Sequence, residues 1–166
     1  MYYINYFFLY SIIGHIIESI IYLFCSGHSG FLYGYWTPIY GIGTILIIVI
    51  YNIINRFKIK KFIKIILLFL TCSIVLSIIE MIGGYLIELI FNKELWDYSN
   101  HKLNIGKYTS IEMSIIWGLS SIILIYFIKP FIDLYISIIP KYITYILIFL
   151  FCLDFIMTIL IKTKLF

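Results

Sequence analysis

Five stretches of this chain, at roughly residues 4–25, 37–55, 63–91, 111–128 and 142–161, run on with few or no charges. A helix rising about 1.5 Å per residue crosses a hydrocarbon core about 30 Å thick in roughly 20 residues, so each stretch is long enough to span a bilayer. The third is long enough to tilt or to project beyond it. Of the 166 residues, 63% are hydrophobic and 12% charged, with a mean hydropathy of +1.08, and a soluble domain of that composition could not cover its core with polar surface. The chain is therefore expected to be an all-α, polytopic integral membrane helix bundle of about five transmembrane helices, forming a single transmembrane domain over residues 1–166.

The first stretch has no positive n-region and no small-residue cleavage site, and it carries Glu18, so it reads as a retained helix rather than a signal peptide. Cys25, Cys72 and Cys152 lie in or beside apolar runs at spacings that suit neither zinc nor a disulfide framework. The segment 129–141, bracketed by Lys129-Pro130 and Pro140-Lys141, is too short to span and reads as an interfacial turn or short helix, with the last helix after it.

Charge sets the orientation. The loop 56–64 holds Arg56, Lys58, Lys60, Lys61 and Lys64 with no acid, which places it in the cytoplasm by the positive-inside rule. The N-terminus is then cytoplasmic and the loop 92–110 external, in a multi-pass protein of the cell membrane. Two spans separate the loop after the first stretch from the loop after the third, so both are expected on one side of the membrane. The net charge of +4 is that of basic loops, and no basic run is interleaved with polar recognition residues, so nucleic acid is not an expected partner. The lipid bilayer is.

An ionisable residue in a membrane span costs roughly 2.5–3.5 kcal/mol on insertion scales and usually faces a protein interior or wet cavity. Here Ser11, His15, Glu18 and Tyr22 share a face of the first helix. Ser73, Ser77, Glu80, Gly84 and Glu88 share one of the third, and Ser114, Trp117 and Ser121 one of the fourth. These faces are expected to meet. The candidate substrate-binding or proton-relay residues are Glu18, Glu80, Glu88, His15, Asp97 and Glu112. Interhelical hydrogen bonding by the glutamates, worth about 0.6 kcal/mol per contact, is the structural alternative.

Two loops add to this constellation. The first, GHSGFLYGYWTPIYGIG, carries Gly30, Tyr33, Gly34, Pro38, Tyr40 and Gly41 and reads as a re-entrant or lid-like segment, or else as a turn with interfacial aromatics. The second, LWDYSNHKLNIGKY, carries Trp96, Tyr98, Ser99, Asn104 and Gly106, with Trp117 on the helix beyond it, and is expected to cap the polar interface of the helices. His28 and His101 lie in these loops without metal-ligand spacing, so no metal is expected. No Walker A sequence, G-x-S-x-G elbow, H-E-x-x-H or C-x-x-C occurs, and neither a catalytic residue nor a cofactor is assigned.

In order, YSIIGHIIE, GFLYGYWTPIYGIG, EMIGGYLIELIF, LWDYSNHKLNIGKY and EMSIIWG resemble the bacterial family described as "Putative ABC-transporter type IV", the CmpB-like permeases, over about residues 6–128. The family-like positions are Gly14, Glu18, Gly30, Phe31, Tyr33, Gly34, Pro38, Tyr40, Gly41, Glu80, Gly84, Glu88, Trp96, Asp97, Tyr98, Ser99, Asn104, Gly106, Ser114, Trp117 and Gly118. His15, Tyr35 and Leu103 stand where the family pattern has Trp, Pro and Pro. The resemblance implies the membrane subunit of an ABC transporter, moving a small polar or cationic substrate through a carboxylate-lined site. It further implies a separate ATPase subunit, docking on loop 56–64 or segment 129–141, and a homo-oligomer or second membrane subunit. The alternative is a membrane-embedded enzyme or scaffold acting on lipid or cell-envelope components.

Overall fold

The structure, a computed structural model, describes residues 1–25 and 31–163. Six α-helices account for most of them: α1 (Tyr2–Cys25), α2 (Pro38–Asn55), α3 (Lys61–Phe91), α4 (Ile111–Ile123), α5 (Lys129–Ile136) and α6 (Lys141–Thr163). No strand forms among the described residues, whose extended pairing is confined to an isolated bridge between Asn104 and Ser110.

Among the described residues, five helical segments are long and apolar enough to cross a membrane: Tyr2–Ile21, Pro38–Asn55, Lys61–Phe91, Ile111–Ile136 and Lys141–Lys162. The protein is an all-α, multi-pass membrane protein. Large apolar side chains such as Ile74, Leu89 and Phe131 are exposed along these helices, as contact with lipid tails requires and contact with water would penalise.

The fourth span differs from the sequence expectation in an instructive way. The short helix expected after residue 129 does form, but α4 runs into it without a break through a π-helical turn at Leu124–Ile128. Pro130 brings no N–H, and its ring would press on the carbonyl four residues back in a regular helix. The wide turn relieves that conflict: the Lys129 N–H reaches back to the Leu124 carbonyl, and the helix continues across the proline to Ile136.

Helix ends follow local chemistry. Thr37 and Pro38 open α2, with proline at the first helical position, where a missing N–H costs nothing. Ser110 caps α4 by accepting from the Met113 N–H at 3.2 Å. Asn92 ends α3 in the left-handed region at φ 51°, its N–H bonded to the Glu88 carbonyl at 2.8 Å.

The chain forms two compact units. The first comprises Met1–Thr44 and Tyr135–Phe166, the second Ile45–Leu134. In the first, α1 and α6 pack through Phe7, Phe8 and Phe151, with Trp36 against Phe8 and Phe151. Asn5 ties the helix ends together, donating to the Ile136 carbonyl at 3.4 Å and accepting from Thr144 Oγ1 at 2.6 Å. In the second, α3 packs along α4. Leu68, Cys72 and Leu76 are buried there, and Gly118 sits so tightly against Ser73 and Phe69 that a Cβ would collide with both.

Candidate functional site

The α3 face predicted from sequence is real, and the α4 face meets it: Ser77 and Ser114 share a hydrogen bond of 2.6 Å. One turn beyond Ser77, Glu80 is 4% exposed within an apolar span. A carboxyl group there needs donors, and the loop supplies them. Tyr98 OH donates to Oε1 at 3.3 Å and Thr109 Oγ1 to Oε2 at 3.2 Å, while the Trp117 side chain approaches the same group.

Two turns further along α3, Glu88 takes a different set of partners. Lys107 Nζ donates to its Oε1 at 2.9 Å and Tyr108 OH to its Oε2 at 2.7 Å. The same ammonium reaches Glu94 at 2.6 Å. Between the two glutamates lies Gly84, where any Cβ would run into the Tyr108 ring. Its bareness lets Tyr108 lie flush on the helix, fully buried, edge-on to Tyr85 and Trp96, with Trp96 Nε1 donating to the Tyr108 carbonyl at 3.2 Å.

The loop that delivers these groups is built from its own short-range bonds. The Ser99 N–H bonds Asp97 Oδ1 at 2.7 Å, Tyr98 N–H the Lys107 carbonyl at 2.8 Å, and Ile105 N–H the Thr109 carbonyl at 2.9 Å. Gly106 takes φ 73°, which strains a residue with a side chain. Hydrogen bonds from Ser99 hold the Asp97 carboxyl below its usual range. The bonds to Glu94 and Glu88 push Lys107 above its ordinary value, and loss of hydration, reinforced by Glu88, pushes the Tyr108 phenol up. Beside this assembly lies a cavity of about 320 Å³ between α3 and the loop, reaching from Ser73 and Ser77 past Met81 to Ile105, Thr109 and Ser114. Thr109 thus borders both the cavity and Glu80.

The remaining predicted residues fall as follows. Asp97 serves its own turn, and Asn104 donates to the Ser99 carbonyl at 3.5 Å. Glu112 stands in the first turn of α4, where a helix N-terminus favours an anion. In the first unit, Glu18 Oε2 accepts from Thr37 Oγ1 at 3.3 Å, and the His15 ring lies edge-on to Tyr35 with centroids 5.5 Å apart. Gly14 lies against Tyr40, and Gly41 against Ser11 and Phe7, too closely in each case for a Cβ. Gly30 lies outside the described residues, as does His28. Among the described residues no group of three or more His, Cys, Asp or Glu side chains is placed to hold a metal ion.

The sequence reading nominated neither the donors Lys107, Tyr108 and Thr109, which flank or lie in the loop it did single out, nor a buried acid in the last span. Asp154, in the middle of α6 and 9% exposed, gathers the first loop: Tyr33 N–H donates to it at 3.1 Å, Gly34 N–H at 3.0 Å and Trp36 Nε1–H at 2.6 Å. The signal was available, because an aspartate inside an apolar span is itself an anomaly that asks for partners.

A family model described as "Putative ABC-transporter type IV" matches residues 5–160, so the match reaches into α6 and includes Asp154. No curated protein and no solved structure matches the chain.

Proposed function

This chain belongs to the "Putative ABC-transporter type IV" family and is a transport-related membrane protein, and on that premise we propose that it is the membrane subunit of a transporter for a small polar or cationic solute. The carboxylates in its spans, above all Glu80 and Glu88 in the second unit and Glu18 in the first, are the groups that meet the solute or relay protons. The observation that carries this reading is Glu80. A carboxyl group 4% exposed in an Ile-rich helix is costly, and its partners Tyr98 and Thr109 come from the loop, so whatever moves the loop changes the environment of the carboxyl. Glu88 and Lys107 place a charged pair at the end of the same face. Loop groups that lift away from the carboxylates would leave acceptors able to take a cation or a donor-rich solute in their place.

ATP hydrolysis comes, on this reading, from a separate nucleotide-binding subunit, since the 166 residues contain no Walker A sequence. The basic loop 56–64, cytoplasmic by the positive-inside rule, and segment 129–141 offer its docking surface, with the N-terminus in the cytoplasm and loop 92–110 outside. A homo-oligomer or a second membrane subunit completes the permease. The test is complementation of a deletion strain with Glu80→Gln and Glu18→Gln, each checked for membrane expression and folding, combined with affinity purification of the wild type. Loss of complementation and recovery of an ATPase are expected. Full rescue by both folded variants would remove the carboxylate site, and purification without an ATPase from cross-linked membranes would remove the ATP-driven reading.

A further inference from the structure

The contacts of Asp154 are more specific than those of a polar residue that has merely found a partner. Both of its oxygens are used. Oδ1 accepts from Tyr33 N–H and, at 3.4 Å, from Thr158 Oγ1, while Oδ2 accepts from Gly34 N–H and Trp36 Nε1–H. Two successive backbone N–H groups and an indole N–H converging on one point form an anion-binding concavity. The loop is shaped for it: Trp36 N–H bonds back to the Gly34 carbonyl at 2.9 Å, and the indole packs against both Phe8 and Phe151. Gly34 is part of the shape, since a Cβ there would meet the Trp36 indole and lie 2.9 Å from Asp154 Oδ2.

From this geometry we propose that residues 33–36 form a carboxylate cradle whose resident occupant is Asp154, and that α6 is latched to the first loop through it. Asp154, Thr158 and Lys162 recur at every fourth residue and so share one face of α6. Lys162 grips the start of the loop, donating to the Phe31 carbonyl with its ammonium 4.4 Å from the Phe31 ring centroid and 5.2 Å from that of Tyr33. The helix thus holds the loop at Phe31 by a cation and at 33–36 by an anion. The span cost of Asp154 is offset by the cradle, and the loop owes its conformation to a residue 118 to 121 positions away. This latch stands whether or not the protein transports a solute.

The test is hydrogen exchange at the Tyr33 and Gly34 amides of the full chain in detergent micelles, with and without sodium formate. Removing a charged acceptor from both amides in Asp154→Ala is expected to speed their exchange about tenfold or more. Formate, which fits the vacated cradle, is expected to restore protection where sodium chloride at equal ionic strength does not. Unchanged protection in folded Asp154→Ala, or formate acting no better than chloride, overturns the proposal. If Asp154→Ala does not fold, Gly34→Ala decides: its Cβ pushes the Trp36 indole off Oδ2 and crowds the carboxylate while α6 keeps every side chain, so the Tyr33 amide is expected to lose protection, and retained protection overturns the latch.

Discussion

The two units solve the same local problem with different means. In each, a helix glycine seats a tyrosine ring, Gly14 under Tyr40 and Gly84 under Tyr108. In each, a glutamate on that helix bonds the threonine that precedes or borders the next one, Glu18 with Thr37 and Glu80 with Thr109. The loops are then held differently. Residues 31–36 depend on Asp154 and Lys162, far away in sequence. Residues 94–110 are held by their own turn bonds and by α3 just upstream, at separations no greater than 29 residues. Short-range closure costs less chain entropy, so the second loop is specified by its immediate sequence while the first needs a distant helix to complete it.

The largest effect is expected from breaking the shared feature. Gly84→Val drives a branched side chain into the fully buried Tyr108 ring, which also carries the bond to Glu88 and the contacts with Trp96 and Tyr85. Overpacking of this kind costs about 1–3 kcal/mol, measurable as a lower unfolding temperature in detergent. Gly14→Val meets Tyr40, which is only half-buried and has room to give, so its loss is expected to be smaller. Equal losses would mean that the two seats are equivalent.

A second test addresses the charges of the second loop alone. Lys107→Met leaves Glu88 and Glu94 without their shared cation, and limited proteolysis is expected to cut within 94–110 sooner than in the wild type. The pH dependence follows from the shifts. Asp97 lies below its unfolded value of about 3.9, so its contribution is present above that pH and is lost as pH falls through its folded value. Lys107 lies above its unfolded value of about 10.4, so its contribution is present below that pH and is lost only as pH rises through its folded value. Protease resistance of the loop is therefore expected to stay flat between roughly pH 5 and 9 and to fall below about pH 4. A loop that loosened steadily across that plateau would have another titrating group as its support.

What could be read from sequence follows the same divide. The five spans, the α3 face through Glu80 and Glu88, and its meeting with α4 at Ser77 and Ser114 were legible, because helical period and apolar length are local properties. So was the capping loop, whose turn residues Asp97, Ser99 and Gly106 act on their near neighbours. The continuation of α4 across Pro130 was not, because a proline reads as a break unless the preceding turn is known to widen. Nor were the loop partners of Asp154, backbone N–H groups and an indole more than 110 residues away, because no spacing in the sequence connects them to an aspartate whose apolar setting says only that partners are needed. Glu18 could be placed on a face, but its bond to Thr37 depends on how the first loop turns into α2.

The smallest expected effect sharpens what the α3–α4 contact is for. Ser77 and Ser114 are 2.6 Å apart, on a face where one hydroxyl must donate and the other accept. Ser114 also donates to the Ser110 carbonyl at 2.9 Å, so its single proton has a local alternative. If the pair is interhelical glue, a double-mutant cycle with Ser77→Ala and Ser114→Ala is expected to give a coupling of about 0.6 kcal/mol, the average for such bonds in membrane proteins. Ser114 can spend its proton within α4 and still accept from Ser77, so a coupling near zero would mean that the two helices are held by the close approach of Gly118 to Ser73 and Phe69 instead. Gly118→Ala then becomes the more damaging change, because its Cβ strikes both side chains and separates the helices along the face that carries Glu80.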